Sequence, residues 1–314
     1  VVLLITGSGA QDRNETLLGH KPFLVLADYL TRRGIAVLRV DDRGVGGSTG
    51  DISKSTEEDF AGDVLAGVGF LKSRKEINPK LIGLIGHSEG GVVAPLAASK
   101  SKDVAFIVLM AGTGLTGEEI LYLQGALIEK ASGATADAIA RNRKIQHAMF
   151  TVAKEEKDNA IAAARMKESV SKLIEQFPES ERKVMSNPAA LDAQVKTVLS
   201  PWFRYLLVYD PREALRHVKC PVLALNGERD LQVPPKEDLS EIAKALREGG
   251  NKDFKTVSLP GLNHLFQTCT TGSPSEYATI EETIAPIALR TMGDWIIAHT
   301  QKQHRVHSVR RNAK

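Results

Sequence analysis

The stretch Leu81-Ile82-Gly83-Leu84-Ile85-Gly86-His87-Ser88-Glu89-Gly90-Gly91-Val92-Val93-Ala94-Pro95-Leu96-Ala97 sets an apolar run, a glycine-flanked serine and a small-residue segment in direct succession. Gly86 to Gly90 match G-x-S-x-G, and the flanking pattern reads as strand, tight turn and helix. In that setting Ser88 sits on a sharp, strained turn that lifts its hydroxyl above the edge of a sheet. Gly86 and Gly90 remove side chains that would collide across the turn. The serine also opens a helix, whose amino end favours the negative charge that develops in acyl transfer. A glycine-rich turn carrying an idle serine is the plainer reading, and it leaves the strand-turn-helix context unexplained.

Outward from this turn, six β-type runs are rich in Val, Ile and Leu: Val1–Thr6, Ile35–Asp41, Leu81–Gly86, Val104–Ala111, Val222–Asn226 and Phe254–Leu259. Most are apolar almost throughout, the mark of parallel strands covered on both faces. Helical segments lie between them. Pro22 opens one that Gly34 closes, and Ser55 with Glu58 forms a capping box ahead of Phe60–Arg74. Others follow Glu89, run over Pro235–Arg247 and span Ile284–His299. The alternation predicts an α/β fold with a doubly wound, mostly parallel sheet. One long interval breaks it, with helical spacing, abundant Ala, Lys and Glu, and no convincing strand. The expected organisation is a core over 1–112 and 213–300, an inserted helical cap over 113–212, and a flexible basic tail over 301–314. Insertions of this kind commonly cover a binding site; a stabilising appendage is the plainer alternative.

A serine hydroxyl is a weak nucleophile at neutral pH, so it needs a base within reach and an acid to fix the base's tautomer. Functional groups of a doubly wound sheet collect in loops at the carboxyl ends of strands. The run Val222–Leu225 leads into Asn226-Gly227-Glu228-Arg229-Asp230, and Phe254–Leu259 leads into Pro260-Gly261-Leu262-Asn263-His264. Asp230 is the favoured acid. Glu228 lies tight against the strand end, where it would cap the turn, and Asp238 is a distant third. Of the other histidines, His87 lies inside the turn and His20 in an early loop. His147, His217, His299, His304 and His307 follow no core strand. The expected catalytic set is Ser88, Asp230 and His264.

The oxyanion requires two N–H donors. One belongs to Glu89, the residue after the nucleophile, and the other to the loop Thr6-Gly7-Ser8-Gly9-Ala10-Gln11-Asp12-Arg13, where Ser8 is favoured and Gly9 or Ala10 are neighbouring alternatives.

Composition excludes several other classes. With 41 basic and 38 acidic residues in 314, the net charge is +3, and much of the excess lies beyond Lys302, so no basic face for nucleic acid is implied. No apolar run reaches the roughly 20 residues of a membrane span. The two cysteines, Cys220 and Cys269, show no zinc-binding spacing, and a disulfide between them is left open. Gly44-Val45-Gly46 begins like a dinucleotide fingerprint, but Thr49 occupies the third glycine position. No metal and no cofactor are expected. The chain opens on Val1–Ile5 without an initiator Met, and the compartment stays open.

With these residues in place, the sequence resembles the α/β-hydrolase superfamily, and within it the bacterial carboxylesterases and serine-aminopeptidase-like hydrolases with a helical cap. The resemblance covers nearly the whole chain. It is carried by the Gly7–Arg13 loop, the turn Asp42-Arg43-Gly44-Val45-Gly46-Gly47-Ser48-Thr49-Gly50, the turn at Ser88, Ser200-Pro201-Trp202-Phe203-Arg204-Tyr205, and Asn263-His264-Leu265-Phe266. It implies cofactor-free hydrolysis of small-molecule esters with short to medium acyl chains. Such families place an antiparallel strand pair ahead of the strand that starts here at Val1, so the sequence is expected to be a piece of a longer chain.

Trp202, Phe203 and Tyr205 are candidates for an acyl pocket, with simple packing as the alternative. Three rival functions use the same residues. An amide-cleaving peptidase needs an amine site, for which Glu118 or Glu119 is a candidate. A thioesterase is chemically adjacent. A ligand-binding protein without catalysis has no need of all three triad members.

Overall fold

The computed structural model describes residues 1–179, 181–182 and 187–312, with side chains described as far as residue 301. Six parallel strands form its sheet: β1 (Val2–Ile5), β2 (Val37–Leu38), β3 (Gly83–His87), β4 (Phe106–Met110), β5 (Val222–Gly227) and β6 (Phe254–Leu259), in spatial order β2-β1-β3-β4-β5-β6. Every pairing is parallel, with Ile5 opposite Gly86 and His87 opposite Met110 at the carboxyl ends of β1, β3 and β4. The chain starts at β1, steps to β2 on one side, then crosses back to β3 on the other. Strand order therefore reverses between β1 and β3, the place where such sheets open a crevice beyond their carboxyl ends.

Helices α1 (Pro22–Arg32), α2 (Glu57–Ser73) and α3 (Gly90–Lys100) connect the first four strands. Beyond the helical segment described below, α9 (Pro211–His217) leads into β5, α10 (Pro235–Glu248) joins β5 to β6, and α11 (Pro286–Asn312) follows β6. Alternate strand residues point to opposite faces. On one face Val2, Leu4, Ile85, Val108, Leu223 and Leu225 pack with Phe23 and Leu26 of α1 and with Ala288 and Met292 of α11. On the other, Leu3 meets α2 so closely that a Cβ at Gly67 would strike its side chain.

The edge strands depart from expectation in length or pattern. β2 shrinks from the expected Ile35–Asp41 to Val37–Leu38, because it pairs on one side only and its flanking Val40 is 47% exposed. β6, at the other edge, alternates between half-buried and exposed positions over most of its length. The backbone of α11 continues through the segment read above as a tail as far as Asn312. Residues 313–314 and the side chains of 302–312 lie outside the described residues. Cys220 and Cys269 are free thiols, and burial pushes the Cys220 thiol up to about 12.

The chain divides into two compact units: Val1–Ile52, Glu58–Leu115 and Pro211–Lys314 form one, and Ser53–Glu57 with Thr116–Asp210 the other. The second unit contains α4 (Gly117–Ala131), α5 (Ala136–Glu155), α6 (Asn159–Ile174), α7 (Pro188–Val198) and α8 (Pro201–Val208). It has a core of its own, in which Met149, Phe150, Met166, Val195, Phe203 and Leu207 are buried together. The Ser200–Tyr205 segment is explained by local structure. Ser200 caps α8 by accepting from Phe203 N–H at 3.2 Å, and Pro201 takes the first helical position. Arg204 donates to the Glu156 carbonyl at 2.7 Å, beside the carboxyl end of α5, and to Asn159 Oδ1 at 2.9 Å.

Candidate active site

Ser88 lies where β3 gives way to α3, and its φ of 53° puts a non-glycine residue in the left-handed region. Two backbone hydrogen bonds hold this conformation, Ser88 N–H to the Met110 carbonyl at 2.8 Å and Gly91 N–H to the Ser88 carbonyl at 2.9 Å. Backbone crowds the turn: a Cβ on Gly86 would lie 1.9 Å from the Gly90 carbonyl oxygen, and one on Gly90 would lie 2.2 Å from that of Ile5. The serine side chain is half-buried, and its hydroxyl makes no hydrogen bond among the described residues.

The structure brings Asp230 to His264. His264 is 4% exposed, and its Nδ1 donates to Asp230 Oδ2 at 2.8 Å. Asp230 is fixed in turn, since its Oδ1 accepts from Gln232 N–H and Val233 N–H, both at 2.8 Å. Asn226, at the end of β5, donates to the Val233 carbonyl and closes the same turn. On the histidine loop, Asn263 Oδ1 accepts from Leu265 N–H at 3.0 Å and Gln267 N–H at 2.9 Å. With Nδ1 committed to the carboxylate, Nε2 is the imidazole nitrogen left to exchange a proton.

The two other acids go elsewhere. Glu228 accepts from Gly261 N–H at 3.0 Å and joins the β5 turn to the β6 loop. Asp238 is buried in the first turn of α10, where its Oδ1 accepts from the Thr113 hydroxyl and from Gly114 N–H, and its Oδ2 has no partner among the described residues. Burial, only partly offset by those hydrogen bonds, pushes the Asp238 carboxyl up to about 7 from an ordinary 3.8. The folded protein therefore keeps a proton that the unfolded chain has released. Stability falls as pH rises from about 4 and levels off above about 7, by an amount on the order of 4 kcal/mol. Asp238→Asn is expected to raise the melting temperature at about pH 8 and leave it nearly unchanged at about pH 4, as scanning calorimetry would read. Equal effects at both pH values would contradict this.

The loop after β1 lies against the serine, since a Cβ on Gly7 would sit 3.3 Å from Ser88 Cβ. The Ser8 amide has no hydrogen-bond partner among the described residues, while the Ser8 carbonyl accepts from Gln11 Nε2 at 3.2 Å. Glu89 occupies the position just before α3. The loop is laced to the turn after β2: Thr6 Oγ1 donates to Asp42 at 2.7 Å, Gln11 N–H donates to Asp42 at 2.9 Å, and Arg13 grips Asp41 with two side-chain nitrogens. These contacts give the Gly7–Arg13 and Asp42–Gly50 signatures a shared structural purpose.

Trp202, Phe203 and Tyr205 lie in the helical unit. Phe203 is buried against Phe150, Trp202 packs edge-on against Phe203, and Tyr205 stacks on Tyr209. Glu118 and Glu119 are both engaged there: Glu119 completes a capping box with Thr116, and Glu118 accepts from Tyr122 at 3.0 Å and Lys154 at 2.6 Å. Among the described residues no cluster of three or more His, Cys, Asp or Glu side chains could hold a metal ion, and no helix is long and apolar enough to cross a membrane.

Sequence reading missed Glu15. It carries a φ of 54°, is 4% exposed, and its Oε1 accepts from Gly7 N–H at 2.6 Å and contacts His87 Nδ1 at 3.0 Å. No periodicity or motif singles out this loop acid.

A strained serine between a strand and a helix, in a turn whose His87 meets the His264 carbonyl at 3.1 Å, and a buried Asp–His pair in the loops after β5 and β6 are the arrangement of a serine hydrolase of α/β fold. The chain belongs to the family described as serine aminopeptidase, S33 (Hydrolase_4), whose model matches residues 21–268. It is 27% identical over 267 residues to esterase EstD of Thermotoga maritima, a match covering 84% of this chain and 54% of that protein. The chain thus spans about half the length of this curated relative. Two solved structures share the fold. Proline iminopeptidase of Mycobacterium smegmatis is 14% identical, with a TM-score of 0.53 over 96% of this chain and 90% of that one. Est1E of Butyrivibrio proteoclasticus with bound ferulic acid is 15% identical, with a TM-score of 0.52 over 96% and 89%.

Proposed function

We propose that this chain hydrolyses carboxylic esters of short to medium acyl chain through an acyl-enzyme on Ser88. The observation that carries the reading is the strained Ser88 turn, whose His87 Nε2 lies 3.1 Å from the carbonyl of His264, with His264 Nδ1 held by Asp230 at 2.8 Å. His264 Nε2 takes the Ser88 proton as the oxygen attacks the ester carbonyl. The backbone N–H groups of Glu89 and Ser8 bind the oxyanion, and His264 hands the proton to the departing alcohol. Water, activated by the same imidazole, then attacks the acyl-enzyme; the acid leaves and the serine regains its proton. The likeness to an esterase supports the choice of substrate class.

The amide-cleaving alternative draws support from the family's description, but the two carboxylates weighed for an amine site already have partners within their own unit. Turnover of p-nitrophenyl acetate, butyrate and octanoate is compared with that of an aminoacyl p-nitroanilide and an acyl thioester. The proposal expects the nitrophenyl esters to be preferred. Preferential cleavage of the anilide or the thioester would replace it with a peptidase or a thioesterase.

Asp230→Asn keeps the shape of the acid but offers His264 an amide that cannot both accept from Nδ1–H and stabilise an imidazolium. The expected loss is about 10⁴-fold in kcat. Steady-state kinetics near neutral pH checks this, and a loss under about tenfold would remove Asp230 from the mechanism.

A further inference from the structure

His87 sits inside the nucleophile turn, is 6% exposed, and both of its ring nitrogens are engaged. Nε2 lies 3.1 Å from the His264 carbonyl oxygen, an atom that only accepts, so Nε2 carries a proton. Nδ1 lies 3.0 Å from Glu15 Oε1, which already accepts from Gly7 N–H at 2.6 Å. With Glu15 ionised, that oxygen too can only accept, and Nδ1 also carries a proton. With Glu15 as a carboxylate, the contacts fit a buried imidazolium–carboxylate pair, Glu15⁻ with His87⁺. Burial pulls the His87 imidazole down, but the charge and hydrogen bond of Glu15 outweigh it and hold the group above its ordinary value.

The pair joins three loops. Glu15 holds the backbone at Gly7, beside the expected oxyanion donor Ser8. His87 is the residue before Ser88. The His264 carbonyl belongs to the base, and the two imidazole rings lie 5.0 Å apart between centroids. We propose that Glu15 and His87 are positioning residues that, as an ion pair, hold the oxyanion loop, the nucleophile turn and the histidine loop in one register. This rests on the serine-hydrolase reading above. One oxygen and one ring serve all three hydrogen bonds, so removing the carboxyl group, which can both accept from Gly7 N–H and balance a doubly protonated ring, must release at least one of them or strip the ring of its charge. A neutral His87 has a single N–H and can donate either to residue 15 or to His264, not to both. The groups that titrate around His87 are Glu15 after β1, Asp230 after β5 and His264 after β6.

Glu15→Gln isolates the charge. Its amide oxygen can still accept from Gly7 N–H, so the loop keeps its anchor, but His87 loses its counter-ion. The expected result is a fall in kcat of about 10- to 100-fold with KM within about twofold, because misplacing the groups around the reacting atoms penalises the chemical step more than binding. A packing role alone predicts no such split. The second readout is independent of activity, and its absence is read in the parent alone. In two-bond ¹H–¹⁵N spectra of the parent at about pH 6.5, the ordinary midpoint of an imidazole, one buried imidazole is predominantly doubly protonated, and His87→Gln assigns it. Absence of that signal in the parent overturns the ion pair, and a Glu15→Gln kcat within about twofold of the parent overturns the positioning role. If the parent turns over no ester while the signal is present, the hydrolase reading fails and the ion pair stands.

Discussion

Ser88→Ala is expected to lower kcat for p-nitrophenyl butyrate by about 10⁴- to 10⁶-fold while the protein stays folded. Triad members act as a unit, so removing the nucleophile forfeits nearly all of the acceleration that the base and acid provide. The fold should tolerate the change. The Ser88 hydroxyl makes no hydrogen bond among the described residues, and the two bonds that hold the turn, to Met110 and from Gly91, are backbone bonds that alanine keeps. The left-handed φ of 53° costs alanine about as much as serine. A melting temperature near that of the parent, with ester turnover gone, is the predicted pair of results. Folded Ser88→Ala retaining more than about a tenth of the parent rate would remove Ser88 from the mechanism.

Gly86→Ala is expected to abolish folding. Its Cβ would lie 1.9 Å from the Gly90 carbonyl oxygen, 2.2 Å from the Gly90 carbonyl carbon and 2.7 Å from Gly91 N, all of them backbone atoms. No rotamer change relieves such a clash; β3 and α3 would have to separate, which costs more than the roughly 4–5 kcal/mol that marks exceptional single substitutions. Gly62→Ala is the matched control. That glycine is exposed on α2 with nothing within 4 Å of its missing Cβ, and alanine there should stabilise by about 0.5–1 kcal/mol. Circular dichroism and thermal melts of the two variants side by side check the contrast. A Gly86→Ala protein as stable as the parent would mean the turn is looser than described.

Most of the sheet was legible because its inner strands are continuous apolar runs, a pattern that few other settings produce. Ser88 was legible because it follows such a strand directly, and His264 because it lies in the loop after the last strand, in the chain order expected for this fold. Legibility failed where sequence distance and spatial distance part company. Glu15 and His87 are 72 positions apart, and only the adjacency of β1 and β3 brings them to 3.0 Å. The length of β2 was overread because the apolar signal of an edge strand outlasts its pairing. Glu118 and Glu119 carried the right charge for an amine site, but Thr116 and Glu119 form a capping box local to the start of α4, and the Lys154 partner of Glu118 emerges only once α4 and α5 have packed.

The most direct test of the central claim is covalent. The parent protein is treated with a fluorophosphonate, digested, and mapped by mass spectrometry, with Ser88→Ala in parallel. A single adduct on Ser88 that the variant lacks is the predicted result. A folded parent that stays unlabelled, or an adduct on another serine, would contradict the assignment of Ser88 as the nucleophile.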